Sequence, residues 1–111
     1  MAKDLSVSVL MDFYGELLTP KQQEALDSYY NQDLSLAEIA SEMEVSRQGV
    51  RNFIKTGEQH LMEFEEKLNL AEKFITINKI ADEMAEAIKK LPDGEIKSDL
   101  LADIDEIKGQ L

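Results

Sequence analysis

The sequence predicts an all-α chain, a helix-turn-helix followed by long C-terminal helices, over a single domain of residues 1–111. Three observations carry that reading. Apolar residues recur at three- and four-residue intervals along almost the whole chain. Helix-capping patterns follow one another closely at Thr19, Ser35 and Ser46. After Ser46 no proline interrupts the chain until Pro92.

The first helix comes from "VLMDFYGELL", in which Leu10, Phe13, Tyr14, Leu17 and Leu18 form one apolar stripe. The preceding "SVSV" alternates like a strand but is too short to build a sheet. "TPKQ" starts the second helix, with Thr19 as N-cap, Pro20 at the first helical position and Gln22 reaching back. Ala25, Leu26, Tyr29 and Tyr30 are its expected buried face. "SLAE" is a capping box for a short third helix burying Leu36, Ile39, Ala40 and Met43. Ser46 caps the fourth helix after a tight turn, and two short amphipathic helices joined so closely make a helix-turn-helix. That motif is assigned to about residues 19–60.

Residues 61–111 read as a helical association region. Leu61, Phe64, Leu68, Ala71 and Ile75 follow one heptad, and Ile77, Ala81, Met84, Ile88 and Leu91 another. The two registers do not join, and "FITIN" is β-branched, so a bend or break is expected within residues 69–78. "LPDGE" is a turn, and the last helix shows Ile96, Leu100, Ile104 and Ile107 on one side. These stripes are longer than one side of a small domain covers. Pairing of two copies through the C-terminal helices, a homodimer, is therefore expected over the alternative that the last helix folds back to cover them.

Composition bounds the function. Net charge is −11, from 23 acidic and 12 basic residues, and it falls as −2 over residues 1–18, −3 over 19–60 and −6 over 61–111. Such a chain repels phosphate backbones overall, while a local basic patch still acts within the screening length of about 8 Å. The chain has no cysteine, which removes disulfides and thiolate metal sites and agrees with a reducing compartment. With no secretory signal pattern and no long apolar run, a cytoplasmic protein without membrane insertion is expected.

The informative stretch is "VSRQGVRNFIKTGEQHL", residues 45–61. With Val50 at zero and ~100° per residue, Ile54, Gly57, Leu61, Phe64 and Leu68 fall within about 40° of it. Arg47, Arg51 and Lys55 form a basic edge, and Gln48 and Asn52 lie opposite the core. Guanidinium and ammonium groups suit phosphates and guanine edges, and Asn and Gln amides pair with adenine. Arg47, Gln48, Arg51, Asn52 and Lys55 are thus the candidate contacts to double-stranded DNA, at the end of the helix that enters a major groove. The turn carries Glu44 where positive φ is often needed, and Gly57 inside the helix costs ~1 kcal/mol unless something packs closely there.

Other chemistry finds little support. His60 and Glu63 make at most two metal ligands, so no metal site or other cofactor is expected. The carboxylates of "EFEE" and "DIDE" read as solvated surface. There is no phosphate loop and no nucleophile–base arrangement, so the chain is expected not to be an enzyme.

Taken together, "LLTPKQQEALDSYYNQDLSLAEIASEMEVSRQGV" resembles a sigma-factor region 4 helix-turn-helix. More closely, "DFYGELLTPKQ", "YYNQDLSLAEIA" and "VSRQGV" resemble the YlxM family of small bacterial proteins, over roughly residues 9–70. The resemblance implies a regulatory protein of the signal recognition particle (SRP) targeting pathway, because the family's gene accompanies those of the targeting GTPases. It also implies DNA binding as an alternative. Ser46, Arg47, Gln48, Val50, Ile54 and Lys55 match the family frame, whereas Gly49, Arg51, Asn52, Phe53 and Thr56 depart from its "AVYDNIKR"-like pattern. The expected partners are SRP components, met through helical surfaces whose acidic faces suit a basic ribonucleoprotein.

Overall fold

The computed structural model describes residues 6–111, which form six α-helices and no strand. The chain divides into two compact units, one ending at Ala71 and one comprising Glu72–Leu111.

In the first unit, α1 (Val7–Tyr14) is capped by Ser6, whose hydroxyl accepts from the Val9 amide. "SVSV" is therefore the first turn of a helix rather than an extended segment, because a capping serine outweighs the weak β preference of two valines. A 3-10 turn, Gly15–Leu17, follows. It rotates the stripe so that Leu10, Tyr14 and Leu18 are buried while Leu17 is 60% exposed, against expectation. Helix α2 (Pro20–Leu26) has the expected capping box between Thr19 and Gln22. It runs into a single π turn, Asp27–Asn31, whose wider winding buries Ser28 and leaves Tyr29 and Tyr30 exposed. The two tyrosines, expected inside, instead stack edge to face at 5.0 Å.

Helix α3 (Leu36–Met43) has the Ser35–Glu38 capping box and buries Ile39 and Ala40, with Leu36 and Met43 half-buried. It ends in a Schellman motif. Val45 N–H reaches Ala40 O at 3.1 Å and Glu44 N–H reaches Ser41 O at 3.4 Å, with Glu44 left-handed at φ 58°. Helix α4 (Arg47–Leu68) is capped by Ser46, whose Oγ accepts from Gly49 N–H at 2.9 Å. It runs unbroken for 22 residues, past the division expected near residue 60, and packs along α1, α2 and α3.

At Gly57 α4 comes close against α2, since a Cβ there would stand 2.7 Å from Leu26 Cδ1. The buried line of α4 is Val50, Ile54, Gly57, Leu61 and, in place of the expected Phe64 and Leu68, Glu65. Phe64 is half-buried against the core and Leu68 is exposed. Glu65 corrects the reading of "EFEE" as wholly solvated: it is 2% exposed, and its carboxylate accepts from Tyr14 and from the Ala71 amide. The helix ends at Asn69, left-handed at φ 54°, which is the break expected within residues 69–78. The β-branched "FITIN" itself stays helical within α5 (Leu70–Lys89), because β-branching costs a helix only tenths of a kcal/mol.

In the second unit, α5 continues to Lys89 and a turn leads to α6 (Glu95–Gly109). Lys108 is ion-paired with Asp82, so α6 folds back along α5. Ala81 and Ile104 are buried there, while Ile96, Leu100 and Ile107 of the last helix's stripe are exposed.

Candidate binding surface of the fourth helix

The five candidate residues share one exposed surface. Arg47, Gln48, Arg51, Asn52 and Lys55 lie in the first nine residues of α4 and all are exposed. Their direction is fixed by the opposite side of the helix, where Val50 and Ile54 enter the core. Gln48 Nε2 donates to Asn52 Oδ1 at 3.2 Å, which joins the two amides. None of the ion pairs Lys89–Glu86, Lys97–Asp93 and Lys108–Asp82 engages Arg47, Arg51 or Lys55. The next residue along that row, Glu58, accepts a hydrogen bond from the Tyr30 hydroxyl and so bounds the basic edge. Burial and the Glu58 bond push the Tyr30 hydroxyl up to about 12.

The five departures from the family frame sort by direction. Arg51 and Asn52 face outward, Gly49 and Phe53 are half-buried, and Thr56 is exposed beside α2. Thr56 Oγ1 accepts from Gln22 Nε2 at 3.1 Å and donates to Asn52 O at 2.8 Å. Phe53 packs on the core with Lys21 Nζ 5.9 Å from its ring centre. Phe53 and Thr56 thus touch α2, while Arg51 and Asn52 stand on the outward surface.

His60 is exposed, with its ring 6.5 Å from that of Phe64. Among the described residues no group of three or more His, Asp or Glu side chains is placed to hold a metal ion. No helix of the described residues is long and apolar enough to cross a membrane. Glu65 went unread as a structural residue because its partner Tyr14 is 51 positions away. The only local signal is its place one turn after Leu61 on the buried line.

Comparison with known proteins agrees with this architecture. The family model described as helix-turn-helix proteins, YlxM / p13 like, matches residues 1–101. A UPF0122 protein of Clostridium kluyveri is 53% identical over 73 residues, 66% of either chain. One from Clostridium novyi is 39% identical over 111 residues, covering all of this chain and 96% of the relative. One from Halalkalibacterium halodurans is 42% identical over 106 residues, 96% of this chain and 97% of its own. With capped α3 and α4 joined by a left-handed turn, and relatives matched along its full length, the chain belongs to the YlxM / p13-like helix-turn-helix family.

Proposed function

We propose that the protein is a non-catalytic regulator of the SRP targeting pathway that acts by binding a component of the particle through the outward face of α4. The observation that carries this reading is the surface itself. Three cations and an amide pair stand exposed on the first turns of α4, uncompensated by ion pairs, in a chain of net charge −11. A focused positive edge on an acidic protein favours a partner that presents phosphate or carboxylate there and basic surface around it. The pathway is supplied by the resemblance to the YlxM family. Purified particle RNA, the targeting GTPase and the assembled particle, each titrated with the protein, test it, with GTP hydrolysis as a second readout. Saturable binding to one of the three supports the reading, and binding to none removes it.

A second reading, a transcriptional regulator of double-stranded DNA, is favoured by the Gln48–Asn52 pair. Its two amides lie beside Arg47 and Arg51 at the end of α4 that a major groove admits. In that case Arg51→Ala and Asn52→Ala relax sequence preference, and affinity falls with salt as a few phosphate contacts require. Absence of a mobility shift on promoter fragments at low salt removes it.

A further inference from the structure

Glu72–Leu111 is a hairpin with more apolar surface than it covers. Its helices are held by the Lys108–Asp82 pair, and its buried residues are Ala81 and Ile104. Helix α5 carries two rows at alternating four- and three-residue spacing. The inner row, Phe74, Asn78, Ala81, Ala85 and Ile88, is buried or half-buried. The outer row, Ile77, Ile80, Met84 and Ala87, with Leu91 just past the helix end, is exposed throughout. Helix α6 repeats the arrangement, with Leu101 and Ile104 inside and Ile96, Leu100, Asp103 and Ile107 outside. Spacing of 4-3-4-3 is the seam of a coiled coil, and helix handedness places both outer rows on one side of the hairpin, away from the Asp82–Lys108 pair.

We infer that this face is the interface with a second copy of the chain, packed antiparallel so that the outer rows of the two hairpins cover one another. The area suits it. Ile77, Ile80, Met84, Leu91, Ile96, Leu100, Ile107 and Leu111 are 37–75% exposed. At about 200 Å² per fully exposed side chain they offer roughly 750 Å² per copy, against ~800 Å² a side in a standard interface. That is more than the few hundred Å² of contiguous apolar surface usual on a monomer.

The charges fix the direction. The outer rows hold Lys73, four residues before Ile77, and Asp103. The Asp82–Lys108 pair places Asp103 within about one turn of the level of Ala87, roughly 20 Å along the axis from Lys73 at ~1.5 Å per residue. A parallel pair would place like charges together. An antiparallel pair about an axis near Ile80 sets each Lys73 against an Asp103 of the other copy. The inference does not depend on the partner assigned to α4.

Sedimentation and chemical cross-linking of the full chain test it, helped by the absence of native cysteine. A dimer is expected at micromolar concentration. Lys73→Glu and Asp103→Lys each weaken it by roughly tenfold, and the two together restore it. Ile80→Cys forms a disulfide-linked dimer faster than Lys89→Cys on the opposite side of α5, with helix content by circular dichroism unchanged in every variant. A chain that stays monomeric at high micromolar concentration overturns the inference. So does a dimer that ignores both charge reversals and cross-links equally through Lys89→Cys.

Discussion

The Tyr14 hydroxyl lies 2.5 Å from Glu65 Oε1 and accepts from the Leu70 amide at 3.0 Å, while Glu65 Oε1 accepts from the Ala71 amide at 3.1 Å. Leu70 and Ala71 are the first two residues of α5, so a pair from α1 and α4 caps the next helix from a distance. The first amides of a helix lack internal acceptors and its N-terminus carries a partial positive charge. A buried carboxylate is tolerable there because both needs are met together.

Tyr14→Phe removes the donor to Glu65 and the acceptor for Leu70, and is expected to cost about 1–3 kcal/mol in urea unfolding. Glu65→Leu leaves the Tyr14 O–H and the Ala71 amide without this acceptor and is expected to cost about 2–4 kcal/mol. The pair is coupled, so the double variant is expected to lose about 1–2 kcal/mol less than the sum of the two. Strict additivity would show that the two groups act separately.

Gly57→Ala sets a close contact against helix propensity. The added Cβ would stand 2.7 Å from Leu26 Cδ1, and Leu26 is fully buried. Overpacking of about 1–3 kcal/mol exceeds the helix gain of about 1 kcal/mol, so a net loss near 1 kcal/mol is expected. In a Leu26→Ala background the same change is expected to stabilise, since the obstructing methyl is gone. Thermal unfolding of the four proteins reads both signs.

At the turn between α3 and α4, Glu44 holds φ 58° without being glycine. Left-handed backbone costs a non-glycine residue about 1–2 kcal/mol, and glycine returns part of that through a freer unfolded chain. Glu44→Gly is therefore expected to raise stability by about 0.5–1 kcal/mol in denaturant titration. A destabilised variant would mean that the Glu44 side chain itself supports the turn.

Much of this was legible in the sequence, and the reason is range. The caps at Thr19, Ser35 and Ser46 involve groups three residues apart, so their patterns can be read locally. The strain at Glu44 and the crowding at Gly57 were legible as local anomalies, though what fills the space at Gly57 was not. The burial of Glu65 escaped because it depends on Tyr14, and the exposure of Tyr29 and Tyr30 because a π turn has no sequence signature as plain as a cap. The outward direction of Arg47, Gln48, Arg51, Asn52 and Lys55 follows from the Val50–Ile54 stripe alone. Nothing in a helical stripe names the molecule that meets it.

Alkaline pH should weaken the first unit. The Tyr14 hydroxyl is raised above its ordinary value by burial and then by its bond to Glu65, and Tyr30 is raised to about 12 by burial and then by Glu58. In the unfolded chain both ionise at about 10, so their contribution is complete below that pH. The Tyr30 share is lost as pH rises from about 10 towards 12, and the Tyr14 share as pH rises above about 10. The denaturation midpoint is expected to fall across that window, and to fall less in Tyr30→Phe. An identical pH profile in that variant would show that Tyr30 contributes nothing to the alkaline loss.

The central claim, that the outward face of α4 is the contact surface for an SRP component, is tested most directly by one comparison. Affinity for the assembled particle is measured for the native chain and for the Arg47→Ala, Arg51→Ala, Lys55→Ala triple variant, at low and physiological salt. The account expects saturable binding that weakens with salt and falls at least about tenfold in the triple variant, with helix content unchanged. Binding of undiminished strength in the triple variant, or none by the native chain, would contradict it.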